Sequence, residues 1–573
     1  MAFDLALFRG LAFDKRGRAD HPISDEAEAR KMLEALPSYD PAKALAELTH
    51  WAVSMNGEGT FTPEMRGRVL MEIDVAAHPF WRPLGLEFLT AAGRPSEGRD
   101  GAPGILHAFR ESAGEFAKGY RLCLTPEGLK SRWVRDNLAM LLLRRARWHT
   151  RMMQFSRMLR LPGLDERWAE LHEIYHLSEE HGVFRVANKV FPTNVRPSSV
   201  KQEYVRPLLG DLARPDRFLG REFELMFRII GRISASVQLE SERLPGALHA
   251  VMPEGSQRAR SLAHTRSALP ASALYIDMSN TMPRLQTLLE RHMDVDPADP
   301  DPAFSEMFTV RERRALIEKL MTAWGAQAPQ RGGQRIPLKS AVLVHQGYED
   351  AVKVITALDQ GDRLMADPRG RVGNSGLRIQ MSDAERKAQA ASVKAARVIH
   401  GETLDASTAG MGVAVDLGEG RWARVGALVA ACVQPGNEWV VGVVKRVNDE
   451  KHGDDLEKLR LGIALMGRKP RLMWFHMDNP SRDSVWSQEK MRERNFLEHF
   501  QRGIVVDLGE PPLSYGEMLL PAGLASRGTR FEVPLHAGSV KLIVTEVREE
   551  THDFQRVSFE RFEPVSAESA PRR

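Results

Sequence analysis

Apolar residues recur every three or four positions through roughly the first 330 residues of this chain, then alternate with polar ones from Val393 onward. The first spacing is that of helices with one buried face, the second that of half-buried strands. A run of helices followed by a run of strands implies separate domains rather than a wound parallel sheet. At 573 residues, against the ~150 of a typical domain, the chain has room for several. The expected fold class is α+β multidomain: a mostly α-helical N-terminal region, then two β-rich segments.

Asp40-Pro41 ahead of Leu45, Leu48 and Ala52 places an N-cap and an N1 proline before a helical stripe. Further helices are predicted at Met65–Ala76, Ser131–Leu159, Leu164–His181, Val200–Leu212, Arg221–Glu240, Met282–His292 and Arg311–Trp324. Strands are predicted at Val393–Leu404, Gly412–Asp416, Leu428–Val433, Trp439–Val447 and Leu459–Met466, and again at Ile504–Leu508, Arg530–Pro534, Val540–Val547 and Arg556–Phe562. Prolines and acidic residues alternate over Asp294–Pro302, which reads as an exposed linker because proline denies a backbone donor to helix or sheet. The expected domains are 1–293, helical with room for two subdomains; 294–302, the linker; 303–390, a mixed connecting segment; 391–480, a β-barrel; and 481–573, a β-rich C-terminal domain.

Hydrophobic residues at 43% supply ample core and exclude disorder throughout. A net charge of +4 gives no field for nucleic acid, so none is expected as a partner. Cys123 and Cys432 alone cannot build a disulfide framework or a cysteine-rich zinc site, which fits a reducing compartment. The longest uncharged apolar stretch, Val425–Val433, is far short of the ~18 residues of a membrane span, so no membrane insertion is expected. Met1–Gly10 carries Asp4 and lacks a basic leader, so no secretory signal is expected and the location read from the sequence is cytoplasmic.

Asp405-Ala406-Ser407-Thr408-Ala409-Gly410 spells D-x-S-x-x-G at a strand end. After it come the glycine-marked run Val425–Val429, Gly442-Val443-Val444-Lys445-Arg446, and Leu461-Gly462-Ile463. This ordered series resembles the PilZ domain, a small β-barrel family of bacterial cyclic di-GMP receptors, over about residues 391–480. A carboxylate and a hydroxyl two residues apart on extended chain share a face and can meet a purine's donor edge. Gly410 lets the backbone turn sharply or approach a ligand. The resemblance implies a cytoplasmic bacterial signalling protein, not an enzyme, whose barrel binds cyclic di-GMP or relays that signal to an unidentified protein partner. It implies no cofactor or metal. It also implies two arginines spaced R-x-x-x-R just before the barrel, gripping phosphates and stacking on guanines, tasks that suit a planar guanidinium. Ahead of the expected barrel stand Arg369, Arg371, Arg378 and Arg386, none four apart, and Arg397 falls within the first predicted strand. The expected ligand set is Asp405, Ser407, Gly410, Arg371, Arg378 and Arg397.

Two other readings have sequence support. A PilZ-fold scaffold that binds only protein follows if the arginines have been lost. His172-Glu173-Ile174-Tyr175-His176 spells H-E-x-x-H, which on a helix could bind zinc with Glu173 as general base. Glu179 stands where one metalloprotease class continues with glycine, and Trp168, Leu171 and Tyr175 form an apolar stripe flanked by the histidines. A polar rim on a packing helix is the favoured reading. Ser279, after Asp277-Met278, is read as a helix N-cap. Arg144-Arg145-Ala146-Arg147 is read as a solvated helix end.

Overall fold

The computed structural model describes residues 21–93, 101–159, 164–194, 196–214, 218, 220–264, 269–290, 307–325, 335–364, 397–416, 418, 422–434, 438–448, 458–477, 501–507, 513–535, 538–551 and 553–562. Asp294–Pro302, the expected linker, lies outside them. The chain divides into two compact units, Met1–Pro329 and Gln330–Arg573.

The first unit is helical: α1 (Glu26–Glu34), α2 (Pro41–Gly57), α3 (Pro63–Gly93), α4 (Gly101–Cys123), α5 (Arg132–Asp136), α6 (Leu138–Met158), α7 (Leu164–Glu180), α8 (Val200–Leu212), α9 (Gly220–Ile233), α10 (Met282–Glu290) and α11 (Val310–Trp324). The starts follow local chemistry. Asp40 accepts from Lys43 N at 3.1 Å ahead of Pro41, Ser199 from Gln202 N at 3.3 Å, and Thr309 forms a capping box with Glu312. Helix α3 outruns its prediction, continuing past Pro79 and Pro83. Burial of Leu84, Phe88 and Leu89 in the common core offsets the hydrogen bonds that the prolines remove.

Four short strands interrupt the helices: β1 (Gln238–Glu240), β2 (Ala247–Val251), β3 (Arg260–Ser261) and β4 (Leu274–Asp277), in the order β1-β4-β2-β3. The helix expected over Arg221–Glu240 therefore stops at Ile233. The Ser236 hydroxyl donates to Ile233 O at 2.7 Å, and Leu239 then pairs with Ile276. Ser279 does not cap α10. Its N–H and hydroxyl both donate to Asp277 Oδ1, at 2.8 and 2.6 Å, in a tight turn after β4.

The arginines of α6 correct a second expectation. They sit mid-helix, and Arg144 and Arg145 are buried. Asp74 on α3, fully buried, accepts from Tyr120 Oη at 2.6 Å and Arg144 Nη1 at 3.1 Å. Arg144 Nη2 donates to Val190 O at 2.9 Å. Four segments of chain, α3, α4, α6 and the stretch around Val190, thus meet at one ion pair. Arg144→Leu strands the Asp74 carboxylate and should lower the stability of this unit by about 3–5 kcal/mol. A fall in the urea midpoint of its transition checks this, and Arg144→Leu combined with Asp74→Leu should recover much of the loss.

The second unit holds two closed antiparallel barrels of six strands. The first comprises β5 (Ile336–Gln346), β6 (Ile399–Ala406), β7 (Gly410–Asp416), β8 (Leu428–Val433), β9 (Glu438–Asn448) and β10 (Lys458–Arg468). The second comprises β11 (Arg471–Met477), β12 (Gln501–Asp507), β13 (Tyr515–Pro521), β14 (Arg530–Leu535), β15 (Gly538–Glu550) and β16 (Phe554–Arg561). Helical region, barrel and second β-rich domain thus appear in the expected order. The barrel limits differ from 391–480. β5, from the stretch read as a connecting segment, pairs with both β6 and β8 and closes the first barrel, while β11 belongs to the second. Counting strands in chain order, both barrels run sixth-third-second-first-fourth-fifth around the ring. The C-terminal domain repeats the topology of the one before it.

Helix α12 (Gly347–Leu364), inserted after β5, seats Tyr348, Ala351, Val352 and Ile355 in a shared core with Leu428 and Val443 of the first barrel and Ile504, Leu519 and Phe554 of the second. Asp553 accepts from Tyr348 N at 3.2 Å and from Leu428 N at 2.9 Å. The Tyr348 hydroxyl donates to the carbonyls of Arg502 and Leu519.

Candidate functional site

The D-x-S-x-x-G segment is the hairpin joining β6 to β7. Asp405 pairs in register with Gly412, and Ala406 with Met411. Ser407 closes the turn, its N–H and its hydroxyl both donating to Gly410 O, at 2.8 and 3.1 Å. Leu465 N donates to Ala409 O at 3.0 Å and pins the tip to β10. Gly410 is required here by packing: a Cβ would stand 2.6 Å from Ile463 O. The Ser407 hydroxyl hydrogen is spent within the turn, so that side chain retains only acceptor capacity for a ligand.

Closure of the barrel by β5 brings a residue that sequence reasoning missed. Ile336 pairs with Ala406 and Pro337 with Asp405, so Arg335 arrives beside the hairpin and its Nη1 donates to Asp405 Oδ1. Both side chains keep about a third of their surface exposed, at 32% and 33%. Ile336, Thr408 and Ala409 are also exposed at this end of the barrel. The result is an exposed barrel end at which a partly exposed guanidinium and carboxylate face solvent. With Oδ1 taken by Arg335, Asp405 Oδ2 is left as an acceptor among the described residues.

The other expected ligands separate. Arg397 is exposed two residues before β6 begins, whereas Asp405 lies at its far end; eight residues of strand span about 26 Å. The structure does not bring it to the hairpin. Arg371 and Arg378 lie outside the described residues. The signal that could have found Arg335 was in plain view. Arg331 and Arg335 stand four apart, R-x-x-x-R, immediately ahead of β5. That spacing precedes β5, which lies in the stretch expected to be a connecting segment, whereas the resemblance places the arginine pair just before residue 391.

The H-E-x-x-H helix is occupied by packing. His172 is buried, with Nε2 at 2.8 Å from Gln257 O and Nδ1 at 2.9 Å from Tyr204 Oη. A carbonyl only accepts, so Nε2 carries the hydrogen and Nδ1 takes the Tyr204 proton, which leaves no nitrogen for a metal. His176 Nε2 likewise donates to Pro253 O at 3.0 Å. Glu173 pairs with Arg145 at 3.1 Å. Burial holds His172 below the usual histidine range, neutral at physiological pH. Among the described residues no cluster of three His, Cys, Asp or Glu could hold a metal ion. No described helix is long and apolar enough to cross a membrane. Both cysteines are buried, and burial lifts the Cys123 thiol to about 12.

Comparison with known proteins reaches the other half of the chain. A family model described as "Cyclic-di-GMP receptor FimW, N-terminal domain" matches residues 27–245, within the helical unit. The cyclic-di-GMP receptor FimW of Pseudomonas aeruginosa is 31% identical over 163 residues, which cover 28% of this chain and 25% of that protein. The chain thus aligns with about a quarter of that relative's length. Among solved structures, YcgR in complex with c-di-GMP from Escherichia coli matches at 14% identity over 30% of this chain and 74% of that one, with a TM-score of 0.13. MrkH, a c-di-GMP-dependent transcription regulatory factor, matches at 8% identity over 42% and 91%, with a TM-score of 0.12. At such scores the barrel assignment rests on the strand pairing described above.

Gly410→Val forces the Ile463 carbonyl aside and should detach the hairpin from β10. A loss of about 1–3 kcal/mol in barrel stability is expected. Faster amide exchange at Leu465 in the folded chain would report it.

Proposed function

We propose that this chain is a bacterial cyclic di-GMP receptor whose first barrel, of the PilZ kind, holds the dinucleotide at the β6–β7 hairpin. The observation that carries the reading is the approach of Arg335 to Asp405, with Arg331 four residues earlier in the sequence. A guanine presents two donors on its N1 and N2 edge, and a carboxylate is an acceptor for both. Arg331 and Arg335 would then grip phosphate and stack on base, with Arg335 exchanging its Asp405 partner for a ligand oxygen. The family match over residues 27–245 supports a receptor reading from sequence independent of the barrel. The chain acts as a signalling protein rather than an enzyme, and it passes occupancy of the barrel to a protein partner. The helical unit and the second barrel are the surfaces available for that step.

Titration calorimetry of the full chain with cyclic di-GMP tests this. Loss of a charge-assisted hydrogen bond costs about 1.5–3 kcal/mol, so Asp405→Ala and Arg335→Ala should each weaken binding roughly tenfold or more. Arg371→Ala and Arg378→Ala belong in the same series. A larger loss there than on Arg335→Ala would return the phosphate contact to that segment. No heat at high micromolar dinucleotide would leave the protein-binding scaffold as the reading of this barrel.

A further inference from the structure

The helical unit carries a concentration of charge that its own carboxylates do not balance. Along one side of α6 lie Arg144, Arg147 and Arg151, and Arg206 of α8 joins them through Glu203. Arg147 Nη1 is 3.5 Å from Glu203 Oε1, and Arg206 Nη1 is 2.8 Å from Oε2, so two guanidiniums share one buried carboxylate. Arg144 takes Asp74. Arg151, half-buried, donates at 2.9 Å to Gln154 Oε1, an uncharged acceptor. Among the described residues, four guanidiniums therefore meet two carboxylates. Charges partly withdrawn from water are ordinarily paired, and among the described residues this group is two anionic charges short.

The same place offers a platform and a vacant polar group. The ring of His78 on α3 stacks on Phe191, with centroids 3.9 Å apart and planes 13° from parallel. The guanidinium carbons of Arg144 and Arg147 lie 5.2 and 5.4 Å from the centroid of that same Phe191 ring. His78 is half-buried, and among the described residues neither of its ring nitrogens makes a hydrogen bond. Burial, with Arg147, Arg151 and Arg144 adding to it, drops its pKa to about 4. At neutral pH it is an uncharged imidazole in a cationic setting, able to donate one hydrogen bond to an anion.

We infer that Arg147, Arg151 and His78 form a second anion site, in the helical unit, which binds a phosphate group either free or carried on a nucleotide. Arg151 and Arg147 supply the charge, His78 a neutral donor, and the Phe191 stack fixes the imidazole. The site is independent of the barrel hairpin and stands whether or not cyclic di-GMP binds there.

Pyrophosphate titrated into the full-length Arg335→Ala chain tests it with the hairpin arginine removed, sodium chloride at matched ionic strength serving as the blank. Saturable heat is expected, with affinity at least tenfold weaker in Arg335→Ala/Arg151→Gln. Arg151 is half-exposed and, among the described residues, hydrogen-bonded only to Gln154, so this variant should fold, and an unchanged urea transition would confirm that. Guanosine diphosphate run in parallel separates the sources: tighter binding than pyrophosphate assigns a nucleotide phosphate, equal or weaker binding a free one. Absence of saturable heat, or an affinity that neither Arg151→Gln nor Arg147→Gln alters, would overturn the inference.

Discussion

An antiparallel sheet that does not close leaves two rows of unpaired N–H and C=O groups. Both β-domains remove those edges by closing into barrels, and the candidate site is a consequence of how the first one does so. Its opening strand, β5, is separated from β6 by more than fifty residues, yet it pairs with β6 on one side and β8 on the other. That return places Arg335 against the hairpin. With β5 elsewhere the sheet would be open, and Asp405 would have no guanidinium beside it.

The long connection between β5 and β6 begins with α12, and that helix has its own structural role. It carries Tyr348 into the seam between the barrels, where the phenol satisfies two carbonyls of the second barrel. Burial raises the Tyr348 hydroxyl well beyond the usual tyrosine range, so it stays a proton donor. Asp553 answers from the second barrel, accepting from the first turn of α12 and from the start of β8. Main-chain donors on two elements of the first barrel's domain thus depend on one carboxylate of the second.

Element types were largely legible in the chain because one buried face imposes a period. Val200–Leu212 and Leu428–Val433 emerge with the expected limits. What escaped was governed by contacts distant in sequence. Helix α4 does repeat Phe109, Ala113, Phe116 and Tyr120 at helical spacing, a signal overlooked rather than absent. By contrast, α3 runs through two prolines because its second half is buried, and Arg144 is internal because Asp74, seventy residues earlier, awaits it. β5 showed only a short apolar run, since its first half is exposed and its second half buried. Of the candidate site, the hairpin was readable from local chemistry. The Arg331/Arg335 spacing was legible too, but its nearness to Asp405 was not, because that follows from the pairing of β5 with β6.

The repeated topology bears on how many sites the tandem has. In the second barrel the hairpin equivalent to β6–β7 joins β12 to β13, running Asp507-Leu508-Gly509-Glu510-Pro511-Pro512-Leu513-Ser514. An aspartate again ends the strand, but leucine and glycine follow it, and no D-x-S-x-x-G turn is encoded. The sequence between these two strands is longer by several residues and carries two prolines. Glu517, which pairs with Asp507, is engaged by Arg548 at 2.8 Å and by Arg556. Of two barrels with one strand order, the first alone carries D-x-S-x-x-G at this hairpin. The second barrel repeats the architecture without that turn sequence, while its Asp553 accepts from the start of α12 and from the start of β8.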